Sequence, residues 1–105
     1  MPIEFELRRA VETGKVVFGS RQALKLLANR QCRLVLYAQD APDDVKLDIR
    51  KLSSLAGIPA LELPYSSKQL GIICGRPHVV AALAVVDPGY SRILEEVEAL
   101  LEKKG

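Results

Sequence analysis

Two runs constrain the fold of this chain more than any other feature. Arg33-Leu34-Val35-Leu36-Tyr37-Ala38 and Val79-Val80-Ala81-Ala82-Leu83-Ala84-Val85-Val86 are almost continuously apolar. Neither approaches the roughly 18 apolar residues of a membrane span. A strand with one wet face alternates apolar and polar residues, whereas a strand apolar throughout is covered on both faces. Two such strands in a chain of 105 residues call for a sheet with helices on either side, built around one core.

The segments between these runs supply the helices. Ile3, Leu7, Ala10 and Val11 recur at helical spacing, which predicts a helix over 3–13, with Pro2 in its first turn and Gly14 as its C-cap. Lys15 to Phe18 reads as a strand, and residues from about 20 to 30 as a second helix, with Ala23, Leu24, Leu27 and Ala28 on one face. Gln39 to Asp44 is a loop into a third helix, with Asp43 or Asp44 as N-cap, a buried stripe of Val45, Ile49, Leu52 and Ala56, and Gly57 as its stop. Ala60 to Leu63 is a third strand after Pro59. Ser66 and Gln69 form a capping box for a short helix ending at Gly75. Arg76-Pro77-His78 is a loop, the run from Val79 to Val86 a strand, and Asp87-Pro88-Gly89 a turn. Ser91 caps a last helix with Ile93, Leu94, Val97, Leu100 and Leu101 inward. Helices and strands alternate along a single domain spanning 1–105.

Charge is uneven. The net value is only +2, yet no acidic residue occurs between Thr13 and Gln39, where Lys15, Arg21, Lys25, Arg30 and Arg33 lie, while Glu95, Glu96, Glu98 and Glu102 crowd the end. Such asymmetry suits an anionic partner on one side. Gly19 sits at the strand-to-helix turn of this basic stretch, where backbone can meet a partner without a side chain in the way. The first amides of the following helix have no intrahelical acceptor and carry the positive end of its dipole. Gly75-Arg76-Pro77-His78 is a second unusual loop: glycine and proline fix its shape, arginine offers a fork of donors, and histidine can stack on a base.

The chain contains no nucleophile elbow, phosphate-binding loop or dinucleotide fingerprint. Cys32 and Cys74 lie far apart in apolar surroundings without a CxxC, which reads as buried reduced thiols rather than zinc ligands. An enzyme would have to use Cys74 and the only histidine, His78. The N-terminus lacks the basic-then-apolar form of a signal peptide, pointing to the cytoplasm.

The stretches Val17-Phe18-Gly19-Ser20-Arg21-Gln22-Ala23-Leu24-Lys25, Arg33 to Ala38, Leu70-Gly71 with Gly75-Arg76, and Leu83-Ala84-Val85-Val86-Asp87-Pro88-Gly89 together resemble a family. It is large-subunit ribosomal protein thirty of the archaeal and eukaryotic type, within the kink-turn RNA-binding superfamily. The resemblance runs over nearly the whole chain. It implies a three-layer α-β-α sandwich with a four-stranded mixed sheet, no enzymatic activity, and no cofactor or metal. It further implies binding to ribosomal RNA at a kink-turn, neighbouring large-subunit proteins as partners, no membrane contact, and a monomer when free. By position it assigns RNA contact to Gly19, Ser20, Arg21, Lys25, Asp40, Lys46, Arg76, Pro77, His78, Val79 and Val80. Asp40 stands where the family more often has asparagine, and a carboxylate accepts hydrogen bonds but cannot donate them. The loops meet at one edge only if the fourth strand runs antiparallel to the first two. Two other readings remain: a stand-alone kink-turn binder of another ribonucleoprotein, and a small Cys/His enzyme.

Overall fold

The computed structural model describes residues 3–104. Pro2, read above as a first-turn residue, lies outside them. The elements are α1 (Ile3–Thr13), β1 (Lys15–Phe18), α2 (Ser20–Ala28), β2 (Leu34–Ala38), α3 (Asp43–Ala56), β3 (Ala60–Leu63), α4 (Ser67–Ile73), β4 (Ala82–Asp87) and α5 (Ile93–Lys104). The sheet order is β1-β4-β2-β3, with β4 antiparallel to both neighbours and β2 parallel to β3. The sheet is therefore mixed, with the fourth strand opposed to the first two.

The period-two geometry of a strand sorts the apolar runs into two cores. Leu34, Leu36 and Ala38 of β2, with Leu83 and Val85 of β4, face Leu7 and Ala10 of α1, Leu70 of α4, and Ile93 and Val97 of α5. Val35 and Tyr37, with Ala82 and Ala84, face Ala23 and Leu27 of α2 and Ile49 of α3. Leu34, Leu36, Leu83 and Val85 are fully buried, and each such side chain contributes about 1.5–3 kcal/mol. No helix among the described residues is long and apolar enough to cross a membrane.

Several boundaries depart from the sequence reading. The last strand begins at Ala82, not Val79, because its partners run out there. Phe18 pairs with Leu83 and Tyr37 with Ala82, after which the Gly19 and Ala38 amides close the ladder on the carbonyls of Ala82 (2.9 Å) and Ala81 (2.8 Å). Upstream, the chain turns to α4, where the Val80 amide donates to Ser67 O at 2.9 Å. Helix α2 stops at Ala28: Arg30 adopts a left-handed φ of 55°, and the Arg30 and Gln31 amides reach back to Leu27 O (3.2 Å) and Leu26 O (2.8 Å). That is a Schellman ending without its usual glycine. Pro42, not Asp43 or Asp44, holds the N-cap position of α3, with both aspartates in the first turn. Helix α4 ends at Ile73, with Cys74 as C-cap ahead of Gly75.

The other stops agree with the reading. Gly57 takes the left-handed cap of α3, Ser66 and Gln69 form a reciprocal capping box, and Ser91 Oγ accepts from the Ile93 amide at 3.4 Å.

Gly71, in the middle of α4, is where the helix meets the 76–80 loop. A Cβ built there would run into the backbone carbonyl of His78. Gly71→Ala is expected to lower stability by about 1–3 kcal/mol, as overpacking against backbone does. Thermal unfolding of the two proteins side by side checks this, and an unchanged melting temperature would contradict it.

Candidate nucleic-acid interface

Because β4 runs against β1 and β2, the ends of those two strands lie beside the start of the fourth. Gly19 leaves β1 with φ 109° and ψ 140° and caps α2 with backbone alone, no side chain bonding to the helix end. That region is open to glycine and strained for other residues. Its N–H donates to Ala82 O at 2.9 Å, and its carbonyl accepts from the Ala23 amide at 2.9 Å. No heavy atom lies within 4 Å of where its Cβ would stand. The protein therefore presents open space in front of the Ser20, Arg21 and Gln22 amides, which precede the first intrahelical bond. Arg21 and Lys25 are exposed one turn apart on the same helix.

The loop after α4 forms the second wall. Arg76 lays its guanidinium over the Phe18 ring, 4.0 Å from the centroid, fastening the loop to the residue just before Gly19. Pro77 and His78 are exposed, and Val79 is 63% exposed. The His78 ring lies beside its neighbour's carbonyl, Nδ1 to Val79 O 3.4 Å. Val80 differs from the sequence reading. It is 2% exposed and sits in the core with Leu70 and Leu83, so it anchors the loop and leaves its side chain unavailable to a partner. Both valines lie ahead of β4, and the Val80 amide bond to Ser67 O ties the buried one to the start of α4.

Two assigned residues turn out to be braces. The Asp40 carboxylate accepts from the Ser67 amide at 2.8 Å and from Ser67 Oγ at 3.3 Å, so it caps α4 from a distant loop. The helix end compensates its charge, which reduces the repulsion it would exert on phosphate. Lys46 donates to the Gln39 carbonyl and pairs with Glu62 at 3.1 Å, its side chain only 17% exposed. It holds the Gln39–Asp40 loop to β3 instead of standing free. Ser67 and Phe18 are participants that the sequence did not reveal. The contact that marks each of them comes from residues far along the chain.

The chemistry at Cys74 runs against a nucleophile. It is 5% exposed in the core beside α4. Burial pushes its thiol up to about 11, outweighing the opposite pull of the Arg76 charge. Reactive thiols are lowered and open to solvent. Burial also raises the thiol of Cys32, against a smaller lowering from the Leu34 backbone. Among the described residues no group of three or more His, Cys, Asp or Glu is placed to hold a metal.

The site is thus a surface edge: a helix N-terminus with no side-chain cap and exposed basic side chains, flanked by one loop braced from within and another fastened by a cation–π contact. It lies on the surface of a small α-β-α sandwich, on an open face and not in a cleft. The chain belongs to the ribosomal protein L7Ae/L30e/S12e/Gadd45 family, whose profile matches residues 1–95. It is 44% identical to "Large ribosomal subunit protein eL30" of Methanopyrus kandleri, over 96% of this chain and 93% of that one. It is 46% identical to the protein of that name in Pyrobaculum calidifontis, over 89% and 92% of the two chains. Among solved structures it is similar to a protein of unknown function from Bacillus halodurans, with TM-score 0.79, 25% identity, and coverage of 95% and 96%.

At neutral pH both cysteines are expected to resist iodoacetamide. Each folded thiol titrates above its ordinary value, so thiolate is scarce at pH 7, and Cys74 reaches half-ionisation only near pH 11. Mass spectrometry of alkylated native and denatured protein checks this; rapid native labelling of Cys74 would revive the enzymatic reading.

Proposed function

We propose that this protein is a structural constituent of the large ribosomal subunit that binds ribosomal RNA at a kink-turn or similar internal loop. The observation that carries the proposal is the near full-length similarity to proteins named large ribosomal subunit protein eL30. The Gly19 edge supplies a physical means. The Ser20–Gln22 amides donate to RNA oxygens or base acceptor atoms, because neither a side-chain cap nor a Cβ stands in front of them. Arg21 and Lys25 meet nearby phosphates. His78 and Val79 pack on an unstacked base, and Arg76 and Pro77 hold that loop in place. Asp40 contributes by fixing the edge of the site. Neighbouring large-subunit proteins are further partners in this reading, and the free protein is a monomer. Co-sedimentation with ribosomal subunits followed by crosslink mapping tests the assignment; absence from the large subunit would overturn it.

Gly19→Ala and Gly19→Val separate recognition from stability. Both replace a residue whose φ of 109° disfavours any side chain, so each is expected to cost about 1–3 kcal/mol and to melt at a similar temperature. Kink-turn affinity is expected to fall stepwise, moderately for alanine and below detection for valine, whose branched side chain stands in front of the helix amides. Calorimetric melting and an affinity titration of both variants check this. Parental affinity in both would remove the helix N-terminus from the site.

Affinity is also expected to fall gently with salt. About three to five basic side chains reach phosphates, which gives a log–log slope of roughly −2 to −4. A flat response would remove the electrostatic part of the proposal.

A further inference from the structure

Tyr90 is 81% exposed, yet its backbone is held from both sides. Its N–H donates to Thr13 Oγ1 at 2.9 Å, and its carbonyl accepts from Arg9 Nε at 3.2 Å. The turn before it is closed by the Gly89 amide on Asp87 Oδ1 at 2.9 Å. A solitary exposed ring on a loose tail needs no explanation. A ring on a pinned backbone is a prepared platform, because less freedom is lost when a partner settles on it.

The surroundings say what kind of partner. Phe5, 48% exposed, lies four residues before Arg9, so the two share a face of α1. Phe5, Arg9, Tyr90 and Arg92 line one groove with Glu6. The carboxylate is turned inward: Glu6 is 3% exposed and accepts from the Arg92 amide at 2.6 Å. The groove therefore offers two aromatic rings and two guanidinium groups. Among the described residues Arg9 bonds through its Nε alone, to Tyr90 O, which leaves its terminal nitrogens for a second acceptor. An acidic peptide would satisfy the arginines but leave the flat rings unused. A nucleotide matches both halves, its base on an aromatic face and its phosphate on an arginine fork.

We infer that the Phe5–Arg9–Tyr90–Arg92 groove binds an unpaired RNA nucleotide, with the base stacked on Tyr90 and the phosphate held by Arg9 and Arg92. Tyr90 follows the end of β4, where Asp87 pairs with Lys15, at the sheet edge opposite Gly19. The groove is thus a second RNA contact, separate from the kink-turn edge. It rests on the ribosomal reading only in that RNA is the polymer at hand.

The test titrates a short fluorescein-labelled oligoadenylate and, separately, a kink-turn RNA into the full chain, following anisotropy. Tyr90→Ala is expected to weaken oligoadenylate binding about tenfold, and Tyr90→Phe to keep it, since stacking needs the ring and not the hydroxyl. Arg92→Gln is expected to weaken it and make the salt slope shallower by about one. None of the three should change kink-turn affinity, while Gly19→Val should do the reverse. The inference fails if the parent does not bind oligoadenylate, if Tyr90→Ala binds like the parent, if Tyr90→Phe loses as much as Tyr90→Ala, or if Tyr90→Ala weakens both RNAs equally. Retention of a ribosomal protein that depends on Tyr90, without oligoadenylate binding, would assign the groove to protein and overturn it. Oligoadenylate binding without kink-turn binding would defeat the kink-turn part of the proposed function and leave this inference standing.

Discussion

The antiparallel insertion of β4 between β1 and β2 is the arrangement on which the rest of the structure depends. It completes both ladders of the central strands, and it buries Ala82, Leu83, Ala84 and Val85 completely between two helical layers. It also decides where the ends of the strands lie. Were β4 parallel to its neighbours, the loop entering it would leave from the far edge, beside Gly14. Instead the Ala81 and Ala82 carbonyls receive the Ala38 and Gly19 amides, and three segments distant in the chain share one edge. The small residues Ala82 and Ala84, beneath Ala23 and Leu27, let α2 lie close over the sheet. The position of the helix N-terminus thus follows from packing as much as from the turn at Gly19.

A second device recurs at both ends of the molecule. Asp40 caps α4, and Glu6 meets the amide at the start of α5, each carboxylate lying in an element far from the helix it serves. Thr13 does the same for Tyr90. Each contact satisfies a backbone amide that has no partner in its own segment. Glu6 is also buried, so its charge is withdrawn from the groove where Arg9, Tyr90 and Arg92 face solvent.

Local features were legible in the sequence because their causes are local. The apolar runs announced the central strands and showed that both of their faces are covered. The Ser66–Gln69 box and Gly57 marked helix ends through bonds made within a few residues. Features with distant causes were misread or invisible. Val79 to Ala81 has strand composition, but no strand remains beside it to pair with. Arg30 ends a helix in a conformation usually left to glycine. Asp40 and Lys46 look like surface groups free to bind until Ser67, 27 residues on, and Glu62 come into contact with them. The mixed direction of the sheet came from family resemblance, since hydrophobic patterning carries no sign of strand direction.

The strand order also bears on how the protein comes into being. β1 has one partner in the sheet, and that partner is β4, more than sixty positions later in the chain. A growing polypeptide that has delivered β1, α2 and β2 still lacks the strand that separates the first two elements of the sheet. β2 finds a partner in β3 before β4 is made, whereas β1 has none until residues 82–87 are present. The edge carrying Gly19 therefore does not exist in any nascent form that ends before β4. The interface is assembled only once β4 has been made, so the protein cannot engage a partner through that edge before residues 82–87 are in place.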